Sequence, residues 1–195
     1  MNSKAGAFGA LAAMLALAGC LSLGPKAPPQ LLNLTPTSTA PAGRAASGTS
    51  ETALAVLDIQ APQKLDVTRV PVLINGSSLA YLKDAQWVEK PAHLFGQLLS
   101  DTIRARGNRL VVSDSDLEYG AATKLSGTLQ AMDYDSAQGA VTVRYDAVLQ
   151  TGEAQVRTRR FESTVSGVAA QAGPVAEALN RAANDVAAQV ADWVG

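Results

Sequence analysis

The spacing of apolar residues between positions 91 and 106 predicts an amphipathic helix. Apolar residues recur there at intervals of three or four along one stripe: Leu94, Phe95, Leu98, Leu99 and Ile103. Polar residues fall on the other side: Gln97, Ser100, Asp101 and Arg104. Pro91 suits the first helical position, where its missing N–H would be unpaired anyway, and Gly107 supplies a left-handed cap. The apolar stripe requires a sheet to cover.

A second helix is predicted from Pro174 to the end of the chain. Its apolar stripe also follows helical spacing: Val175, Leu179, Ala182, Val186, Val190 and Trp193. The charged residues Glu177, Arg181 and Asp185 lie away from this stripe. The two helices therefore each have one face to bury.

Four shorter runs around the first helix have the composition of strands: 53–59, 67–74, 78–82 and 109–113. The first run is almost continuously apolar, which is typical of a strand covered on both faces. Pro71 indicates an edge strand or a bulge, because proline cannot donate to a strand ladder. Asn75 and Gly76 form a favourable hairpin turn before the third run.

Between the two helices, three further runs predict an antiparallel meander: 122–134, 141–150 and 156–165. The middle run alternates apolar and polar residues most cleanly, so one face of the meander should be exposed to water. The order strands, helix, strands, helix predicts one α/β domain over residues 53–195. We expect a mixed, largely antiparallel sheet of about five strands packed with two main helices.

Composition narrows the functional classes. Lys and Arg number 16 and Asp and Glu number 17, so there is no basic excess to bind nucleic acid. Cys20 is the single cysteine, which excludes an intramolecular disulfide, and His93 is the single histidine. No zinc site is expected from this set. The acidic segment 114–118 lacks the glycine and ligand spacing of a calcium loop, so a solvated turn is predicted.

The N-terminus has the organisation of a secretory signal over residues 1–19. Lys4 is followed by an apolar run that is too short to span a membrane stably. Leu17-Ala18-Gly19-Cys20 resembles the bacterial lipobox, which implies cleavage before Cys20. The same resemblance implies a diacylglycerol on the Cys20 thiol and an acyl chain on its amine, with no other cofactor. An ordinary signal peptide that contains a cysteine is the alternative.

Residue 21 bears on the destination of the lipidated chain. Leu21 stands where lipoproteins retained at the inner membrane carry aspartate, so resemblance to sorted lipoproteins favours the outer membrane. Residues 20–52 are rich in Pro, Ala, Ser, Thr and Gly and read as a tether or loop. Within them, 30–34 could add a strand to the domain. The free tether would then be 21–29, about 30 Å at full stretch.

Two groups of side chains are candidates for binding. Tyr81 and Trp87 precede the first helix and could contact a partner, or pack under that helix as core. Arg157, Arg159 and Arg160 could form an anion or lipid-headgroup site, or simply solvate an open sheet face. His93 lies in the first helix, where a surface or boundary role is the simpler interpretation.

The body of the chain resembles the ABC-type transport auxiliary lipoproteins over essentially its whole mature length. The residues that carry the resemblance are Ala80-Tyr81-Leu82, Asp84-Ala85-Gln86-Trp87, Pro91, Leu98-Leu99, Arg159-Arg160-Phe161, Ala182-Ala183-Asn184-Asp185-Val186 and Trp193-Val194. The resemblance implies an α/β domain on the periplasmic side of an outer membrane. It also implies partnership with a mammalian-cell-entry-type protein and an inner-membrane ABC transporter that move lipids and support envelope integrity. A homo-oligomer is expected because some members form rings.

Three functional hypotheses follow. The first is a non-catalytic accessory subunit of such a transporter. The second is a lipid-anchored hydrolase, which would need a nucleophile paired with a base. Gly76-Ser77-Ser78 lacks the spacing of a nucleophile elbow, so no catalytic residue and no enzyme activity are predicted. The third is an accessory lipoprotein of another outer-membrane machine, such as a lipopolysaccharide or secretion complex.

Overall fold

A computed structural model describes residues 30–107, 109–113, 120–152 and 154–195. These ranges contain seven strands, two helices of several turns and a short 3-10 turn at Gln63–Leu65. The strands are β1 (Leu54–Val56), β2 (Arg69–Asn75), β3 (Ser78–Gln86), β4 (Val111–Ser113), β5 (Thr123–Asp135), β6 (Ala140–Thr151) and β7 (Gln155–Ser166). The helices are α1 (Pro91–Arg106) and α2 (Ala172–Val194).

Strand β5 is the centre of the sheet. On one edge it pairs antiparallel with β6, which in turn pairs antiparallel with β7. Its other edge is shared: β1 pairs in parallel with its first residues, and β2 pairs in parallel with its last. β4 lies outside β1 in parallel, and β3 lies outside β2 in antiparallel orientation. The thirteen residues of β5 therefore hold two smaller groups of strands side by side.

Both helices lie on the same face of this sheet. α2 packs across β6 and β7 and runs beside α1. The sheet side chains beneath α2 are large and fully buried, and they include Val143, Tyr145 and Leu149. The opposite face of β5, β6 and β7, which we call the open face, carries alternating polar residues. The predicted meander with one wet face is confirmed.

The α/β class, the mixed and mainly antiparallel sheet and the two helices are confirmed, although the described sheet has seven strands rather than about five. Pro71 lies in β2 between two neighbours and not at an edge, but next to an irregular register. Tyr81 pairs with Pro71 and Gln86 with Arg69, so residues 82–85 oppose Val70 alone. This bulge, with Asp84 at φ 56°, explains why the apolar pattern of β3 stops at residue 82.

Helix α1 begins and ends as predicted. Pro91 is its first residue, and the cap Gly107 has φ 71° with its N–H bonded to the Arg104 carbonyl at 3.1 Å. Ser100, predicted on the polar side of the helix, is only 9% exposed. It lines a cavity of about 270 Å³ between α1 and the segment that follows β1, which covers that side of the helix.

A glycine in β5 makes room for a buried aromatic contact between the sheet and α1. Gly127 has φ 156°, and Tyr145 from β6 lies against it. The Tyr145 hydroxyl donates to the Ser126 carbonyl at 2.8 Å, and its ring contacts Phe95 of α1 with centroids 5.2 Å apart. Burial raises the pKa of Tyr145, so the phenol stays neutral. The missing side chain at residue 127 thus lets α1 and the sheet pack around one ring.

Replacing Gly127 with alanine is expected to destabilise the protein by roughly 2–4 kcal/mol, because the added methyl overlaps the Asp146 carbonyl oxygen and sits 2.7 Å from the Tyr145 hydroxyl. Urea unfolding measures the loss. Gly173→Ala in α2, where a Cβ meets nothing within 4 Å, is the control and should change stability by less than about 1 kcal/mol. Equal stability of the two variants would contradict this account.

Candidate functional site

Residues 32–37, which we call the N-terminal strap, are bound to the domain before β1 begins. Leu32 forms a parallel bridge with Trp87. The Leu32 N–H donates to the Gln86 carbonyl at 2.7 Å, and the Val88 N–H donates to the Leu32 carbonyl at 2.9 Å. Leu34 is 6% exposed and belongs to the main core. The strap thus adds one isolated bridge next to the end of β3, at Leu32 within the apolar run 30–34.

Two asparagines of α2 fix the rest of the strap. The Thr35 N–H donates to Asn180 Oδ1 at 2.8 Å, and the Thr37 N–H donates to Asn184 Oδ1 at 2.8 Å. Asn184 Nδ2 in turn donates to the Thr35 carbonyl at 3.0 Å. Asn184 is 7% exposed, so its own bonds to the strap are partly buried, whereas the bond from Thr35 to Asn180 is exposed. The result is a clamp of two side chains one helical turn apart.

Sequence reasoning missed the clamp. Asn180 and Asn184 are separated by four residues, which places them on one face of α2. Asparagine is a poor residue for a helix interior, because its amide competes for backbone partners. Two asparagines at this spacing in an otherwise alanine-rich helix are the signal that could have indicated a bound backbone segment.

Trp87 belongs to the core. It is 1% exposed and lies in the main hydrophobic cluster, and its indole Nε1 has no hydrogen-bond partner among the described residues. Its backbone N–H donates to the Thr68 carbonyl at 2.8 Å, which joins β2 to the strap bridge. Of its two predicted roles, the structure therefore shows packing, and the buried ring offers no surface to a partner.

Tyr81 is placed differently from Trp87. It is half-buried, and the Arg69 guanidinium lies 4.0 Å from the centroid of its ring. The two residues predicted together therefore lie in distinct environments. A role for Tyr81 in partner binding stays a prediction.

The three arginines of β7 do not form one group. Arg157 and Arg159 pair with Leu149 and Ala147, which are buried on the helix-covered face. Arg160 pairs with Asp146 on the open face and makes two bonds to its carboxylate, at 2.6 and 2.8 Å. The Arg160 hydrogen bond lowers the pKa of Asp146. An anion site built from all three side chains would need them on the same face of the strand, and Arg160 lies on the face opposite Arg157 and Arg159.

Chemistry-bearing side chains are few in the described ranges. The ring nitrogens of His93 face Glu89 and Gln97 on the exposed side of α1. No three His, Cys, Asp or Glu residues of those ranges are grouped closely enough to hold a metal ion. The acidic segment 114–118 and Cys20 lie outside the described residues. Neither α1 nor α2 is long and apolar enough to cross a bilayer.

The comparisons identify the class of protein. Residues 33–191 match the family described as the ABC-type transport auxiliary lipoprotein component, and the chain belongs to this family. The match begins within the strap and ends within α2, so it includes both partners of the asparagine clamp. The resemblance inferred from the sequence is confirmed.

Two solved structures share the fold. Protein XCC0632 from Xanthomonas campestris, of family DUF330, has a TM-score of 0.71 at 18% identity, covering 85% of this chain and 94% of its own. An uncharacterised protein has a TM-score of 0.64 at 14% identity, covering 85% and 100%. No curated protein matches the sequence.

Replacing Asn184 with alanine is expected to release the strap from α2. The substitution removes the bonds to Thr35 and Thr37, which together contribute about 1–3 kcal/mol. Hydrogen–deuterium exchange of a peptide covering 33–40 should become at least about fivefold faster. Gln189→Ala, which removes an exposed amide of the same helix away from the strap, is the control. Unchanged exchange in a folded Asn184→Ala variant would show that the clamp does not hold the strap.

Proposed function

We propose that this protein is a non-catalytic periplasmic subunit of a mammalian-cell-entry-type ABC lipid transport system, anchored in the outer membrane through lipid on Cys20. The observation that carries the proposal is the family match over residues 33–191 to an auxiliary lipoprotein component of ABC transport. The lipobox-like Leu17–Cys20 precedes that match. Its partners are a mammalian-cell-entry-domain protein and the inner-membrane transporter, and its role supports outer-membrane integrity.

The strap supports a domain that sits close to its membrane. Because Leu32 is already bonded to the domain, residues 21–31 set the greatest distance to Cys20, at most about 40 Å. Leu31 is 51% exposed and Val88 is 47% exposed beside this junction. Apolar side chains in that place suit a surface next to lipid. The bonded strap therefore limits how far the domain can move from the anchor.

An accessory role suits the chemistry of the described residues. The single histidine, His93, lies on an exposed helix face, and neither of its hydrogen-bond partners in the described residues, Glu89 and Gln97, is paired with it as a nucleophile. The proposed subunit acts by binding and positioning other proteins. A homo-oligomer, expected from the family resemblance, would present several copies of one binding surface to the transporter.

Leu21→Asp is expected to move the protein from the outer to the inner membrane, because residue 21 decides sorting in the lipoproteins that this N-terminus resembles. Separation of the two membranes by density centrifugation measures the shift, and mass spectrometry of the N-terminal peptide checks for diacylglycerol and acyl chain on Cys20. Leu21→Ser serves as the control and should stay in the outer membrane. An unlipidated N-terminus would refute the anchor.

Purification of the acylated protein from native membranes is expected to retain a mammalian-cell-entry protein and an ABC transporter. A photocrosslinking amino acid at Tyr81 should join the subunit to that partner, because the Tyr81 ring is partly exposed. The same amino acid at Gln138, in the exposed turn between β5 and β6, is the control.

Co-purification with a lipopolysaccharide or secretion complex would replace the proposal by the alternative machine. Co-purification of the expected partners without a crosslink at Tyr81 would keep the function and exclude Tyr81 from the interface.

A further inference from the structure

The first half of β7 is an uncovered sheet edge. β7 pairs with β6 along twelve residues, and no other described strand pairs with it. Residues 155–160 are all exposed, and Val156 is 60% exposed. Towards its other end, Gln189 of α2 donates to the Glu162 carbonyl at 3.5 Å, and Ser163 bonds Asp185 at 3.1 Å. The backbone edge at residues 155–160 is thus exposed and uncovered by α2, and another strand could add there.

Two arginine side chains lie beside this edge, each close to an aromatic ring. The Arg157 guanidinium lies 5.3 Å from the Trp193 ring centroid, and that of Arg159 lies 4.9 Å from the Phe161 ring centroid. The two rings meet edge to face at 5.5 Å. We call Arg157, Arg159, Phe161 and Trp193 the arginine–aromatic cluster. Stacking on aromatic rings holds both guanidinium groups in place without neutralising their charge.

The arginines of this cluster differ from those on the open face. Arg144 pairs with Glu162, and Arg160 pairs with Asp146, so each has a carboxylate opposite it in the ladder. Neither Arg157 nor Arg159 forms an ion pair with a carboxylate of the described ranges, and the residues facing them are Leu149 and Ala147. On the open face, both arginines are therefore paired with carboxylates. On the other face of β7, Arg157 and Arg159 keep their positive charge.

We propose that β7 binds an extended acidic segment of a partner protein by strand addition. The segment would pair with the backbone of residues 155–160 and place carboxylates two residues apart opposite Arg157 and Arg159. Strand side chains alternate between faces, so this spacing brings both carboxylates to the arginine–aromatic cluster. The proposal goes beyond the transport role, since it specifies a binding surface and the chemistry of its ligand.

Charge favours such a partner over a second copy of the same edge. The sequence of residues 155–160 contains three arginines and no carboxylate, so two β7 edges pairing with each other would oppose like charges.

The position of the arginine–aromatic cluster argues against the protein's own membrane as its ligand. The strap joins the domain before α1 begins, whereas Arg106 and Asp192 tie the far ends of the two helices together beside Trp193. Sixteen residues of helix, about 24 Å, separate these ends.

The test measures binding of a fluorescein-labelled peptide of about nine residues, alternating Thr and Glu, to the full-length acylated protein in detergent. Fluorescence anisotropy should detect binding that Arg157→Gln/Arg159→Gln weakens at least tenfold. Arg160→Gln removes a charge from the same strand but the other face, and should change affinity less than about twofold. A peptide with Gln in place of Glu should bind at least tenfold more weakly. Circular dichroism confirms that each variant is folded.

A second measurement separates strand addition from simple charge attraction. Two further peptides carry N-methyl groups on alternate residues, in the two possible registers, which removes backbone donors and leaves the charge unchanged. At least one should lose tenfold or more in affinity. Equal binding of all charged peptides would overturn the strand-addition proposal, as would equal effects of Arg160→Gln and the double substitution. Self-association in sedimentation velocity that the double substitution abolishes would identify a second copy as the occupant and also overturn it.

Discussion

The parallel pairing of two separate strands along one edge of β5 is the constraint on which the rest of the structure depends. β1 pairs at residues 123–125 and β2 at 134–135, and between them Gln60 bonds to both Gly127 and Leu129. This arrangement requires a long strand, and β5 spans thirteen residues with one irregularity against β6 between Leu129 and Ala131. Gly127 within it leaves room for Tyr145. Because β6 and β7 lie on the other edge, α2 has one continuous surface to cover. The length of β5 therefore sets the positions of the strands on both of its edges and of the helix α2 that covers them.

The strap and α2 depend on each other. The backbone of residues 35–37 would lose its partners without Asn180 and Asn184, and the bridge at Leu32 joins the same segment to Trp87 under α1. Arg109 makes the matching connection at the other end of α2. It donates to the carbonyls of Thr52, Ala53 and Val194, where a cation favours the negative end of the helix. Burial lowers the pKa of Arg109, but a guanidinium remains charged at physiological pH. The segment between the strap and β1 is thus fixed at both ends of the helical layer.

Elements with a clear period could be predicted from the sequence, and those set by distant pairing could not. α1, β6 and β7 agree with their predicted bounds within two residues, because burial on one face repeats every 3.6 or 2 residues. The parallel position of β1 between β4 and β5 joins residues that are far apart in sequence, and local pattern does not encode it. The irregular second half of β3 has exposed residues on both sides, so its alternation is lost. For the candidate site, the sequence around Trp87 is compatible with a core residue and with a residue that contacts a partner. The choice between these roles depends on the fold.

The strap and the arginine–aromatic cluster lie at two ends of the domain, and these ends have different physical properties. At one end, exposed Leu31 and Val88 flank the strap, and apolar side chains of this kind tolerate contact with lipid. At the other end, β7 offers free backbone groups and two guanidinium groups stacked on rings, which suit a charged and hydrated partner. In the proposed function, a subunit held at one membrane engages a complex that reaches from another, and two ends of this kind suit that role. Because the strap and the arginine–aromatic cluster both contact α2, the fold itself sets the distance between these two ends of the domain.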